Sequence, residues 1–389
     1  MKLSGLKVLD LSAFLPGPHM TMMMADHGAD VIMIEPANGM GEPTREIGQK
    51  TDDGISVWFR NIARGKRSLK LNLKDEEGRA LFYALAKEAD VVIEAFRPGV
   101  VKRLGVDYET LKEMNEKLVY CSISAFGQDS SLALKPAHDL TIQGMAGIVD
   151  FNRGLEDGKP AMPNMPVADT TASLMAFSGI LMALYRMQQT GKGDYVDIAM
   201  FDACIAWTPN VLGPTWGENK EPVAKDMRSF GGSAMYNLYE TSDGEFVILG
   251  GSEVKFAANL LEAMGRSDLL PYAKVEPGPE QAPLRDFFKA RFSEKTLKEW
   301  QDFLADVDCC WSWVRSLTEA MNDPFTQERE MVFTDADGYK HIGPAIKFKN
   351  EPPRLSASIP SYGEHSEEIA REAGIPEKSV TDLKQRGVI

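Results

Sequence analysis

The sequence predicts an α/β fold, a parallel sheet covered by helices on both faces, with a smaller α+β domain attached. Three observations predict it. Short apolar runs alternate with helix-patterned segments from Lys7 to Ser124, as they do where strands pair in parallel and helices cross over between them. A hairpin pattern and a group of helices then begin near Met235, after a stretch rich in Pro, Gly and charge. The length, 389 residues, suits one large domain and one smaller one.

The elements follow in order. Lys7–Leu11 is apolar and bounded by Ser12 and the turn-forming Pro16-Gly17-Pro18, so it reads as a first strand. His19–His27 is helix-forming, Gly28 closes it, and Val31–Ile34 returns as a second strand ending at Glu35, which completes a βαβ unit. A dinucleotide fingerprint is excluded, because GxGxxG is absent and Pro16 and Pro18 stand where backbone would have to approach a pyrophosphate. Helices are expected at Gly78–Ala89 and Tyr108–Glu116, and strands at Asp90–Ala95 and Leu118–Ser124. From Asp169 a long helix runs with Leu174, Phe177, Leu181 and Leu184 as its apolar stripe, widened by Met175, Ile180 and Met187, and stopped by Gly191 and Gly193. Met162, Met165, Met175 and Met182 read as core filler around it. A strand near Tyr195–Ile198 and a helix at Phe201–Leu212 close the first region. Beyond it, Tyr236–Tyr239 and Phe246–Leu249 flank Ser242-Asp243-Gly244 as a hairpin. Helices are expected at Lys255–Met264, Leu284–Arg291 and Leu297–Leu304, and a last one in SYGEHSEEIAREAG. The domain reading is 1–212 with 330–389 as the large domain, 225–325 as the small one, and 213–224 and 326–329 as linkers.

Composition narrows the function. A net charge of −14 argues against nucleic acid as a partner. No apolar run reaches the length of a membrane span on this reading, so no membrane partner is expected. Four cysteines without CxxC spacing give neither a zinc site nor a disulfide framework, so no metal is expected and a reducing cytoplasm fits. Against the acidic background two basic clusters stand out: Arg64, Lys66, Arg67, Lys70 and Lys74, then Arg97, Lys102 and Arg103. They suit a small ligand carrying several phosphates; solvated surface charge is the plainer alternative. Asp169 lies at or just before a helix N-cap, where free N–H groups and the helix dipole favour its ionised form. Taken alone it is more readily a simple cap, since Asp is common at N-caps. His138 is the histidine in the most chemical context, with burial against Asp139 as its plain alternative.

With these motifs in hand, the chain resembles the class III (CaiB/BaiF-type) CoA-transferase superfamily, which includes the 2-methylacyl-CoA racemases. The resemblance runs nearly end to end and rests on VLDLSAFLPGP, GADVIMIEP, NIARGKRSLKLNLKDEEGR, ADVVIEAFRPGV with RLG, HDLTIQGMAG, PVADTTAS and TGKGDYVDIAMFDA, in that order. It implies a large doubly wound domain built from both chain ends, and an obligate, interlocked homodimer. It also implies coenzyme A or acyl-CoA as substrate, with no permanently bound cofactor, and a carboxylic acid as acceptor. The CoA contacts it implies are Phe14, Leu15 and Pro16; Leu71, Asn72, Leu73 and Lys74; Ala95, Phe96 and Arg97; Arg103; and Lys135, Pro136, Ala137 and His138. Pro36 stands where many relatives carry Arg, and Ala95 where Asn is common; Arg45 or Arg64 is expected to compensate.

The resemblance also offers two chemistries. In the transferases, the residue matching Asp169 is the nucleophile that forms an acyl anhydride and then an aspartyl-CoA thioester. In the racemases it exchanges an α-proton together with a histidine, at the position of His138, and an acid matching Glu253 lies near that histidine. The run Asp169-Thr170-Thr171-Ala172-Ser173 and Gln143 follow the transferases, whereas His138 follows the racemases. Transfer is the first expectation and racemisation the second. A non-catalytic acyl-CoA-binding subunit is a third, disfavoured because Asp169 and the basic clusters are intact.

Overall fold

The computed structural model describes residues 1–154 and 158–389, and they form two compact units. The first comprises Met1–Ala146, Asn164–Trp207 and Pro324–Ile389; the second comprises Gly147–Pro163 and Thr208–Asp323.

In chain order the elements up to the end of the sheet are β1 (Lys7–Asp10), α1 (Pro16–Asp26), β2 (Asp30–Pro36), α2 (Val57–Ala63), β3 (Arg67–Leu71), α3 (Glu76–Ala86), β4 (Val91–Glu94), α4 (Val100–Leu104) and α5 (Tyr108–Lys112). Then come β5 (Val119–Ser124), α6 (Asp139–Met145), α7 (Ile148–Phe151, in the second unit), α8 (Val167–Thr190), β6 (Tyr195–Ala199) and α9 (Met200–Ala206). The six strands form one sheet in the order β3-β2-β1-β4-β5-β6, every pair parallel. Strands β4 and β5 are buried at every residue, which is why they read as unbroken apolar runs. The strand order reverses between β1 and β4, and in such sheets ligands bind beyond the carboxyl ends of the strands at that point. The C-terminal segment packs back on the same unit: Asn72 N donates to Val388 O at 2.8 Å, and Ile369, Leu383 and Val388 join the core.

Several expectations need correction. The turn read at Pro16–Pro18 is the first turn of α1, because proline fits the start of a helix, where its missing N–H costs nothing. Strand β3 went unread because Arg67 and Lys70 disguise a run in which Ser68, Leu69 and Leu71 are buried. Residues 147–163, assigned to the large domain, cluster with the second unit, where Phe151 meets Phe230 edge-on at 5.0 Å. The stretch 213–224 is not a plain linker: it contains a helix, Gly213–Glu218. A further helix, Glu377–Gln385, follows Ser366–Glu372, so the latter is not the last.

Helix α8 differs most from its expected form. Its buried face is made of small residues, Ala168, Ala172 and Ala176, ending in Ile180 and Leu184; Leu174 is exposed, as are Met162, Met165 and Met182. Those three methionines are therefore not core filler, and Met175 is half-buried. Helix α8 has 24 residues, and an 18-residue stretch of it reaches a mean hydropathy of 1.5, so by length and composition it could cross a membrane, contrary to the reading above. It packs on α1, α9, β5 and β6, the surroundings of a core helix.

In the second unit β7 (Tyr236–Glu240), β8 (Phe246–Gly250) and β9 (Trp311–Trp313) form an antiparallel sheet, with β9 unread because it has only three residues. Helices Val254–Ala263, Ala282–Phe292 and Leu297–Leu304 supply its core around Phe288, Phe292 and Trp300.

Candidate active site

The loop after β1 is fixed from below by Asp10, which is fully buried and accepts hydrogen bonds from Ser12, Thr21 and the Lys66 ammonium. Gly17 is required there, since a Cβ would lie 2.1 Å from Ser12 Oγ. Pro16 and Pro18 leave the mouth of α1 with few N–H donors, unlike a dinucleotide site. Between them and β1, Phe14 adopts φ 66°, a left-handed conformation costing a bulky residue about 1–2 kcal/mol. Its amide donates to Glu42 Oε1 at 2.8 Å.

Two cavities lie beyond the strand ends of this unit, and Ala13 and Phe96 wall both. The first, about 330 Å³, is bounded by Leu71, Asn72, Leu73 and Lys74 after β3 and by Glu35 and Glu42. The second, about 440 Å³, carries Phe14, Pro16, Ala95 and Arg97 on one side and Lys135, Ala137, His138 and Asp169 on the other. Most of the expected contact residues are thus divided between two adjoining spaces. Leu15 and Arg103 wall neither: Leu15 precedes α1 as its cap and Arg103 is exposed on α4. Glu253 belongs to the second unit, at the N-cap of Val254–Ala263, where its side chain accepts no capping bond.

The structure reverses the expected electrostatics of Asp169. It is the third residue of α8, inside the first turn, and the cap is Asp139. Asp139 Oδ1 accepts from Ala168 N at 2.8 Å and from Asp169 N at 3.2 Å, so the stabilisation available at the helix end goes to Asp139. Burial, and then the neighbouring Asp139 carboxylate, push Asp169 up to about 7. Among the described residues its carboxylate has no hydrogen-bond partner. Gln143 braces the arrangement, donating to Asp139 Oδ2 at 2.6 Å and to Met165 O at 3.1 Å, with its own Oε1 buried and unpaired. His138 precedes Asp139 at the start of α6; it is exposed rather than buried against Asp139, and its ring stands edge-on to Phe14 at 6.0 Å.

The basic clusters separate into two kinds. Arg64 forms a buried two-bond pair with Asp26 (3.0 and 2.6 Å), Lys66 is enclosed with Asp10 and Pro18 O, and Arg67 is shared among Asp30, Glu368 and Glu372. Arg45 is held by both oxygens of Glu35 at 2.8 and 2.7 Å, so neither it nor Arg64 is available to replace the missing arginine at Pro36. Lys74, Arg97, Lys102 and Arg103 have no carboxylate partner among the described residues, and all four are exposed. Sequence reasoning missed Trp58, on the second cavity's wall, and Glu42, Asp10 and Asp139, none of which belongs to a pattern that distinguishes it from an ordinary acid or aromatic.

The profile of CoA-transferase family III matches residues 3–366. The chain belongs to this family. An acetyl-CoA:oxalate CoA-transferase from Acetobacter aceti is 33% identical over 96% of both chains. An alpha-methylacyl-CoA racemase from Mus musculus is 30% identical over 100% of this chain and 98% of its own. The crystal structure of a CAIB/BAIF family protein from Brucella suis superposes with a TM-score of 0.82 at 30% identity, covering 95% of this chain and 99% of that one. The family III enzyme described here therefore has relatives that transfer CoA and relatives that racemise acyl-CoA.

Proposed function

We propose that this enzyme moves CoA from an acyl-CoA thioester to a carboxylic acid, with Asp169 as the nucleophile. The observation that carries the reading is the Asp169 carboxylate, without a hydrogen-bond partner among the described residues, on the wall of a cavity at the strand-order reversal that Arg97 and Lys135 also line. The 3′-phosphoadenosine end of CoA is assigned to the cavity bounded by Leu71–Lys74 and the pantetheine arm to the one containing Asp169, with Lys74, Arg97 and Arg103 pairing the phosphates.

The steps balance as a double displacement. A carboxylate oxygen of Asp169 attacks the thioester carbon; the C–S bond breaks and CoA leaves as thiolate. The thiolate attacks Asp169 Cγ, releasing the donor acid and leaving an aspartyl-CoA thioester. The acceptor carboxylate attacks that carbon, thiolate leaves again, and its return to the acceptor carbonyl frees Asp169 and the new acyl-CoA. Acetyl-CoA and succinyl-CoA assayed against oxalate and longer dicarboxylates test the reading. Transfer by the wild type and none by Asp169→Ala supports it, and undiminished transfer by that variant refutes it.

One observation favours racemisation as the second reading. Asp169, poised near neutrality, and His138 line the same cavity, as a proton donor and acceptor on two faces of an α-carbon would. Deuterium entering C2 of a 2-methylacyl-CoA in D2O is its signature.

The working unit is proposed to be a homodimer. Leu140, Met145, Leu174, Met182, Tyr185 and Trp207 leave large apolar side chains exposed on and beside α6, α8 and α9, which pack together. A second copy of the chain is the occupant that such a surface and the family suggest, and sedimentation equilibrium tests it.

A further inference from the structure

Glu42 is 3% exposed, yet among the described residues it has no cation partner and touches neither Asp169 nor His138 by hydrogen bond. Three donors converge on it: Phe14 N on Oε1 at 2.8 Å, and Thr44 N at 2.8 Å with the Thr44 hydroxyl on Oε2. Its own amide donates to Glu35 Oε2 at 2.8 Å, and Glu35 is in turn gripped by Arg45. The carboxylate is therefore anchored from the β2 side and directed at one backbone position after β1. That position is the strained one, Phe14 at φ 66°. The Phe14 ring stands edge-on to His138, and both line the cavity that contains Asp169.

We propose that Glu42 is a positioning residue: its buried carboxylate holds Phe14 in the left-handed conformation, and Phe14 in turn sets the wall against which the reacting thioester is placed opposite Asp169. The inference rests on the reading that acyl transfer occurs in that cavity. Strain of this kind persists only where the surroundings over-determine it, and the Glu42 bond supplies that determination. The role requires a carboxylate, because both oxygens already accept. An amide of the same shape turns an NH2 toward either Phe14 N or Thr44 N, donor against donor. The plainer role, a cap for the turn at Pro43–Arg45, accounts for the Thr44 bonds but not for the bond to Phe14 28 residues away.

The test is a double-mutant cycle in the full-length enzyme with Glu42→Gln, Phe14→Gly and both together, using acetyl-CoA or succinyl-CoA with the acceptor found by the panel above. Glu42→Gln is expected to lower kcat by about tenfold or more while KM for the CoA ester moves less than about twofold, since misplacement acts on the reacting end. Glycine adopts the left-handed conformation freely, so the double variant should be no slower than Phe14→Gly alone. Hydrogen exchange in the peptide containing Phe14 should be faster in Glu42→Gln. An unchanged kcat, multiplicative losses in the double variant, or unaltered exchange at Phe14 overturns the proposal. If the amide variant does not fold, Glu42→Asp, which withdraws the carboxylate by one methylene, supplies the same readouts. Inactive Asp169→Ala beside a fully active Glu42→Gln removes the positioning role alone; fully active Asp169→Ala removes the reading beneath it.

Discussion

Replacing Asp139 with asparagine isolates the neighbour that opposes ionisation of Asp169. The variant keeps an Oδ1 to accept from Ala168 N and Asp169 N, so α8 keeps its cap. Its new NH2 meets Gln143, whose buried, unpaired Oε1 can accept from it once that amide turns over, at the cost of the Gln143 bond to Met165 O. The charge that disappears is the one negative charge beside Asp169. Asp169 titrates at about 7, so a mechanism needing its carboxylate gains about tenfold in kcat/KM between pH 6 and 8 in the wild type. Burial is the larger cause of the raised value and stays in place; losing a like charge at this range is worth about 1–2 kcal/mol, which lowers the midpoint by about one pH unit. The variant should then be several-fold faster than the wild type at pH 6 and nearly equal to it at pH 8. The assay is initial rates of CoA transfer at limiting donor across that range. A flat wild-type profile, or a variant midpoint unmoved or raised, refutes the assigned electrostatics.

Other outcomes follow from the same geometry. Because the folded-state value of Asp169 is raised, the stability tied to its proton is complete below about pH 4 and is lost as pH rises through about 7. Asp169→Asn should therefore melt above the wild type at pH 8, by an upper limit of about 4 kcal/mol, and the difference should close toward pH 4 in calorimetry. Removing Arg97 or Arg103 by alanine substitution should raise KM for the CoA ester with less effect on kcat; unchanged KM takes that residue out of the binding site. Arg64→Ala leaves the Asp26 carboxylate buried and unpaired, so it should cost about 3–5 kcal/mol in denaturant unfolding, and a donor-KM effect without that loss contradicts the structural assignment.

The sheet was legible wherever burial on both faces made a strand continuously apolar, as in β4 and β5, and wherever glycine ended a helix, as at Gly191 with φ 71°. It was illegible where tertiary contacts override local pattern. Arg67 in β3 finds a carboxylate partner as far along the chain as Glu372, and the buried face of α8 begins with alanines while Leu174 of the expected stripe is exposed. The candidate site follows the same division. Motif order led to Asp169, His138 and Arg97, which line one cavity, but not to which of the basic residues already had carboxylate partners. Arg64, Lys66 and Arg45 look from sequence like ligands for phosphate, and only the positions of Asp26, Asp10 and Glu35 show otherwise. Asp139 escaped because its capping bond spans 29 residues to a helix whose own N-cap residue is Pro166, which has no side-chain acceptor.

Covalent trapping at Asp169 tests the central claim most directly. The enzyme is mixed with acetyl-CoA or succinyl-CoA without acceptor, quenched with hydroxylamine, and digested for mass spectrometry. A hydroxamate on the peptide carrying Asp169, absent when CoA ester is omitted, is the expected result. An unmodified Asp169 peptide from enzyme that is turning over the same ester would contradict the account.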